Sequence, residues 1–275
     1  MKTDLAMIRQ AGFTLVELLI GMALMSVVLL AVFNVNLSST RASMSLQTRN
    51  DLLPETQIAQ TYVLSRLRES AYVYPTGTTF DLGTDPTVKN PRTGLGAWTV
   101  GQDAFIAVVL PPRSETPNCA LIAPAVPDTA NCYTLYAYYP VLRSVLTGST
   151  TLSSGRRPAA EPLNDASTWV LMEYRRSFGK LTGTVFPVPL ANTTQGAMVM
   201  DYLLPVTLPQ VSSVPDRLFS LTGDAGIQQV GRTAITVNLA AQRQVGGSPS
   251  VRVPGSGRST VTVFPRNVGK GIGLN

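Results

Sequence analysis

The apolar run Phe13–Val35, FTLVELLIGMALMSVVLLAVFNV, decides the architecture of this chain. Its 23 residues include a single charge, that of Glu17. As an α-helix the run measures about 34 Å, against a hydrocarbon core of about 30 Å, so it can cross a membrane. Basic residues precede the run at Lys2 and Arg9 and are absent again until Arg41. This asymmetry predicts a cytoplasmic N-terminus and a body outside the cytoplasm.

Two common kinds of segment compete as interpretations of this run. A cleaved secretory signal needs an apolar stretch of about 7 to 15 residues followed by a small-residue site, whereas this run is longer and no convincing site of that kind follows it. An uncleaved signal anchor fits the length and the orientation well. Glu17 separates the interpretations, because a carboxylate inside an apolar span costs about 2.5 to 3.5 kcal/mol and usually has a partner. One alternative is that Glu17 lies near the helix start and reaches the lipid headgroups.

The residues around Glu17 resemble the cleavage motif of type IV prepilins and type II secretion pseudopilins. The segment Gly12-Phe13-Thr14-Leu15-Val16-Glu17-Leu18 has the family's pattern of Gly, Phe, three apolar or hydroxyl residues, Glu and an apolar run. The resemblance implies that a prepilin peptidase removes a leader of residues 1–12 by cutting between Gly12 and Phe13. It also implies N-methylation of the new amino terminus on Phe13. Glu17 then becomes the fifth mature residue, which faces a neighbour's terminal amine and sets the register of a filament.

The same resemblance implies a function and a set of partners. The chain is expected to enter, or to prime, a type IV pilus that serves motility, adhesion or DNA uptake. The alternative is a minor pseudopilin of a type II secretion system. Expected partners are other pilins and minor pilins, the prepilin peptidase, an inner-membrane assembly platform and membrane lipid. The size of the chain and its closing motif Val263–Val268 resemble those of the larger minor subunits, the W-type of the pilus and the J-type pseudopilins.

Residues 36–72 are expected to continue the helix beyond the membrane, because they are rich in helix formers. Apolar residues at spacings of three to five predict one face that packs on a sheet: Ile58, Tyr62, Val63 and Leu67. A break is expected near Pro54, since proline removes a backbone donor and clashes one turn back. One bent helix and two helices joined by a short turn both remain open.

Residues 73–275 are interpreted as a β-rich globular body. The first part, residues 75–103, is rich in Gly and Pro and predicts a connecting loop with little regular structure. One long helix followed by strands predicts an α+β fold, with the helix packed on an antiparallel sheet. Six runs have the composition of strands: Ala104–Leu110, Tyr133–Tyr139, Thr168–Tyr174, Ala197–Leu204, Arg232–Leu239 and Ser259–Phe264.

The chain contains no histidine and only two cysteines. The absence of histidine excludes a Ser-His-Asp triad, a Cys-His dyad and the usual zinc sites. We therefore expect no enzyme, and assign no catalytic residue, metal or cofactor. A membrane-tethered enzyme is the alternative, with candidate carboxylates that no spacing groups together: Asp103, Asp165, Glu173 and Asp201.

DNA is a further candidate partner, since the formal net charge is +6 and a positive balance favours anionic polymers. Aromatic and basic side chains could provide stacking and charge in the body: Tyr72, Tyr74, Tyr136, Tyr138, Tyr139 and Arg143. Aromatic residues in strands are more often core, which is the competing interpretation.

Cys119 and Cys132 enclose 12 residues. Outside the cytoplasm two cysteines this close in sequence most simply form a disulfide. Closing such a loop stabilises a fold by about 3 kcal/mol in the chain-entropy model. Two buried free thiols are the alternative.

Overall fold

The computed structural model describes residues 14–112, 132–177, 195–206, 217–223, 233–246 and 248–267. The chain divides into two compact units, Met1–Leu46 and Gln47–Asn275. The first unit holds the beginning of a long helix. The second holds the remainder of that helix and all of the described strands.

The long helix, α1, runs from Leu15 to Glu69 and has 55 residues. It continues through Pro54, so of the two alternatives left open for the predicted break, one helix rather than two is present. Pro54 has no N–H to bind the carbonyl of Asn50 one turn back, but both residues are exposed and water can reach that carbonyl. α1 ends three residues before the predicted position 72, because Tyr72–Val73 begins the sheet instead.

Twelve strands are present in the described residues, with two short helices, α2 (Arg143–Thr147) and α3 (Pro162–Asp165), and one 3-10 turn, Pro86–Val88. All six predicted strands are confirmed, with ends within three residues of those expected. The strands in chain order are β1 (Tyr72–Val73), β2 (Thr79–Asp81), β3 (Ala97–Thr99), β4 (Ile106–Leu110), β5 (Thr134–Leu142), β6 (Trp169–Ser177), β7 (Ala197–Leu203), β8 (Phe219–Thr222), β9 (Ala234–Leu239), β10 (Ala241–Arg243), β11 (Val251–Val253) and β12 (Ser259–Val263).

The main sheet has seven strands in the order β1-β4-β5-β6-β7-β10-β11, and each neighbouring pair is antiparallel. β5 and β6 form its centre and pair along their whole length, from Thr134 opposite Ser177 to Leu142 opposite Trp169. A second sheet has the order β12-β9-β8, and β2 and β3 form a separate hairpin. The predicted α+β fold, a long helix on an antiparallel sheet, is confirmed.

The part of α1 beyond Gln47 packs on one face of the main sheet. Its buried residues recur every three or four positions, as an amphipathic helix requires: Leu52, Thr56, Ala59, Gln60, Val63 and Leu67. The apolar members share a core with alternate side chains of β4, among them Ile106 and Val108, and with the three-stranded sheet. The predicted helix face was partly wrong, because Ile58 is 69% exposed. Tyr62 is half-buried.

The opposite face of the main sheet is covered by the region 75–103, where the prediction of a loop with little regular structure was partly wrong, because two short strands and a 3-10 turn lie within it. The hairpin of β2 and β3 carries Phe80 and Trp98 into a second core. The Trp98 indole N–H donates to the carbonyl of Val88 at 2.8 Å, and the ring packs on Tyr139 with centroids 4.9 Å apart. Strands of three residues are too short to show an alternating pattern among so many glycines and prolines.

Candidate functional site: the start of α1

The first turn of α1 is closed by a reciprocal contact between Thr14 and Glu17. The backbone N–H and the hydroxyl of Thr14 donate to Oε2 of Glu17 at 3.0 and 2.9 Å. In return, the Glu17 N–H donates to the Thr14 hydroxyl oxygen at 3.3 Å. This is a capping box, in which a Thr before the helix and a Glu three residues later satisfy N–H groups that lack helical partners. A carboxylate offers about four acceptor positions, so the cap leaves it able to bind a further donor.

The predicted processing residues Gly12 and Phe13 lie outside the described residues. Their role therefore stays a prediction, as does the leader, residues 1–12. The described structure begins at Thr14, the residue that directly follows Phe13, and its N–H is bound by Glu17. The Glu17 carboxylate thus contacts the residue that directly follows the proposed new amino terminus.

The apolar part of α1 is uncovered in the isolated chain. Its large apolar side chains between Leu15 and Val35 are 52 to 79% exposed. The one hydroxyl among them, that of Ser26, donates to the carbonyl of Met22 at 2.8 Å, so it needs no partner outside its own helix. α1 is long and apolar enough to cross a membrane. Lipid or the apolar helices of other subunits can cover this surface.

In the body, the four carboxylates weighed for catalysis bind arginine or tyrosine. Asp103 binds Arg92 at 2.7 Å. Glu173 accepts from the Tyr138 hydroxyl at 2.8 Å and from Arg175 at 3.1 Å. The remaining two, Asp165 and Asp201, are brought together on Arg143. In the described residues no group of three or more His, Cys, Asp or Glu side chains could hold a metal ion.

Arg143 is fully buried at the start of α2 and is the centre of this charged cluster. Its guanidinium binds the carboxylates of Asp165 and Asp201, the second at 2.9 Å. It also donates to the carbonyl of Ala159 at 2.7 Å and lies 4.9 Å from the ring centroid of Tyr202. These contacts connect α2, α3 and β7, and they stabilise the fold only while both carboxylates and the cation are present.

A second ion pair continues the cluster towards the surface. Arg243 binds Glu161 at 2.7 Å, and the Tyr202 hydroxyl donates to the same carboxylate at 2.7 Å. Burial opposes ionisation of Glu161, but the donors Arg243, Tyr202 and Asn164 outweigh it and lower the pKa of that carboxyl. Tyr202 has φ near 50°, a conformation unusual for a residue with a side chain. The bond of its hydroxyl to Glu161 and the contacts of its ring with Arg143 and Arg243 stabilise this backbone conformation of Tyr202.

The tyrosines considered for DNA contact are mostly core residues. Tyr74, Tyr136, Tyr138 and Tyr139 are all buried, and Tyr72 is half-buried. Arg143, the accompanying base, is enclosed by its own carboxylates. A base can stack only on an accessible ring face, so these residues do not form the predicted nucleic-acid surface.

Cys132 is 5% exposed and lies two residues before the start of β5. Cys119 lies outside the described residues. The disulfide between them therefore stays a prediction.

The comparisons with known proteins concern this same N-terminal segment. Residues 7–33 match the family model described as the prokaryotic N-terminal methylation motif. The match includes Gly12, Phe13 and Glu17, and it supports a type IV pilin-like or pseudopilin-like chain anchored by a single helix. No curated protein and no solved structure matches the chain.

The capping role of Thr14 was missed from the sequence, although the signal was present. Thr14-Leu15-Val16-Glu17 has the Thr-x-x-Glu spacing of a capping box before an apolar run. The Arg143 cluster had no such signal. Its partners lie 22 and 58 positions along the chain, and only the pairing of β5, β6 and β7 brings them together.

Proposed function

We propose that this chain is a minor subunit of a type IV pilus, cleaved between Gly12 and Phe13, methylated on Phe13 and incorporated into the filament or its priming complex. The methylation motif at residues 7–33 carries the proposal. The uncovered apolar helix that follows it supports the same conclusion, since a filament core would cover that surface. Prepilin peptidase, an inner-membrane assembly platform, membrane lipid and other pilins are the partners this function requires.

The register of the subunit depends on Glu17 in this proposal. Cleavage creates an ammonium group on Phe13, and a bundle of apolar helices offers it little solvation. A carboxylate and an ammonium in such a medium each cost much less paired than alone. Glu17 of one subunit therefore binds the terminal amine of its neighbour, while its capping contacts with Thr14 keep the carboxylate at the helix start.

The body lies outside the cytoplasm in this proposal. The basic residues Lys2 and Arg9 precede the apolar run and would stay on the cytoplasmic side. Positioned there, the leader can be reached and removed at the membrane, and the body is exposed with the filament. DNA contact is not part of the proposal, because four of the five tyrosines considered for it are buried.

A host strain that lacks the chain tests this function and separates the pilus from a secretion machine. The deletion is complemented with the wild-type chain or with Gly12→Leu, which we expect to block cleavage because it replaces the glycine of the motif. Loss of sheared surface filaments, restored by the wild type and not by Gly12→Leu, supports the pilus. Normal filaments together with retention of secreted proteins in the periplasm would overturn it in favour of a pseudopilin. If the deletion changes neither filaments nor secretion, the proposed class of function is wrong.

A further inference from the structure

The C-terminal end of α1 is capped by residues that are far away in the sequence. The last four carbonyls of a helix have no helical partner, and a glycine after the helix commonly supplies a local cap. Here Ser70 and Ala71 follow Glu69. The Ser70 hydroxyl donates to the carbonyl of Leu67 at 2.8 Å. The next two carbonyls bind donors from the segment that follows β12.

That segment, residues 264–267, holds the described part of the closing motif beyond β12. The N–H of Arg266 donates to the carbonyl of Arg68 at 2.8 Å. The side-chain amide of Asn267 donates to the carbonyl of Glu69 at 2.9 Å, from 198 positions along the chain. Pro265 is buried between these donors and β12. The two last carbonyls of α1 are therefore capped by neighbouring residues of one short segment.

β12, the strand that leads into this segment, also binds α1 through its first residue. The hydroxyl of Ser259, the first residue of β12, donates to Oε1 of Gln60 at 2.8 Å. The amide of Gln60 donates in return to the carbonyl of Ser259 at 3.3 Å. Gln60 is a buried polar residue on the sheet-facing side of α1, so this reciprocal pair satisfies both its donor and its acceptor. Contacts at Gln60 and at Arg68 and Glu69 span about 13 Å of helix.

We infer that Ser259–Asn267 is a strap. It holds the last turns of α1 to the body and caps the last carbonyl groups of that helix. The strap binds α1 between Gln60 and Glu69, well beyond the apolar run and the methylation motif, so neither of those features predicts it. Its use rests on the proposed function: a subunit drawn into a filament by its apolar helix must keep the rest of α1 attached to the body. The strap does so with polar contacts at the end of α1, where the apolar core contributes its last residue at Leu67.

Hydrogen exchange of the full chain in detergent micelles, read by mass spectrometry, tests the strap without any filament. Arg266→Pro removes the donated N–H, and Arg266→Ala removes the same side chain but keeps that donor, so the two form a matched pair. Asn267→Ala removes the second donor. One hydrogen bond of ordinary net strength changes an opening equilibrium about fivefold. We expect amides at residues 64–70 to exchange about fivefold faster in Arg266→Pro and Asn267→Ala, and within twofold of wild type in Arg266→Ala.

Peptides from β4 in the central sheet serve as the internal reference and should exchange as in the wild type. Faster exchange confined to the end of α1 supports the strap. Unchanged exchange there in Asn267→Ala would overturn it, as would an equal effect of Arg266→Ala and Arg266→Pro. A rise of similar size in β4 would also count against it, because the contacts would then contribute only to global stability. None of these results depends on cleavage or assembly, so failure of the strap is distinct from failure of the proposed function.

Discussion

The N–H and the hydroxyl of Thr14 donate to one oxygen of Glu17, at 3.0 and 2.9 Å. Glu17 therefore has a role within its own helix as well as the role proposed between subunits. The two roles need different properties of the side chain. Capping needs an acceptor oxygen, which a glutamine also supplies, whereas pairing with an ammonium needs the negative charge.

Glu17→Gln and Glu17→Leu separate these roles. We predict that both variants are cleaved and inserted in the membrane at least as well as the wild type, because each removes a charge from the apolar span. Both should be under-represented in sheared filaments, since an unpaired neighbouring ammonium costs several kcal/mol per subunit. Immunoblots of membrane and sheared fractions measure this. Ser26→Ala is the control, because that hydroxyl is already satisfied within α1. If Glu17→Gln assembles like the wild type and Glu17→Leu does not, the charge of Glu17 is not needed. Glu17 would then act only as the cap of its own helix.

Arg143→Met should strongly destabilise the body. The substitution keeps a long side chain but leaves Asp165 and Asp201 without their buried cation. Breaking a buried pair in this way costs about 3 to 5 kcal/mol. Chemical denaturation of the purified chain, followed by tryptophan fluorescence, measures the loss. Arg156→Met changes an exposed arginine and should stay within about 0.5 kcal/mol of wild type. A cost below about 1 kcal/mol for Arg143→Met would show that the cluster relaxes or admits water.

Glu55→Gln should make the chain more stable at neutral pH. Burial raises the pKa of Glu55 above its ordinary value of 4.5, and the charge of Asp201 adds to this, against the Asp201 N–H and Arg243. An acid with a raised pKa in the folded state contributes most below its unfolded pKa, and that stability is lost as pH rises through the folded value. Glutamine keeps the acceptor for the Asp201 N–H, 2.8 Å from Glu55 Oε1.

The measurement is thermal unfolding of both chains from pH 4 to pH 7. The advantage of Glu55→Gln should be largest at pH 7 and should shrink towards pH 4, where Glu55 becomes protonated. A constant difference over this range would mean that the pKa of Glu55 is the same folded and unfolded.

Cys119 and Cys132 should be bonded to each other. A non-reducing digest is expected to give one linked peptide pair, and thiol labelling of the denatured chain should find none free. Replacing both residues by serine should cost about 3 kcal/mol of stability. Complete labelling of both cysteines in the purified chain would refute the bond and would also argue against export of the body.

The elements of this fold were largely predictable, because local composition determines them. The apolar run identified the start of α1, and the six strand-like runs are all strands. Ile58 was misplaced on the buried face because its side chain is apolar, while the neighbouring polar Gln60 is buried through its contacts with Ser259. Local pattern could not reveal that pair, since its members are 199 positions apart.

The candidate functional residues also fall into two groups, those that a local motif reveals and those whose environment depends on distant parts of the chain. Gly12, Phe13 and Glu17 form a local motif that the sequence alone displays, and the spacing of Thr14 and Glu17 predicts the cap in the same way. The tyrosines of β5 could not be judged from sequence, because their burial depends on the β2–β3 hairpin covering one face and α1 covering the other. Tyr139 packs on Trp98, a residue in a region expected to be irregular.

The N-terminal peptide of the mature chain shows directly whether the leader is removed between Gly12 and Phe13. Material from a host with an active prepilin peptidase is digested and its N-terminal peptide is measured by mass spectrometry, with Gly12→Leu as the unprocessed control. We predict a peptide that begins at Phe13 and carries one added methyl group, and an intact leader in Gly12→Leu. A chain that still begins at Met1 in assembled material, or one cut after the apolar run near Ser43, would contradict it.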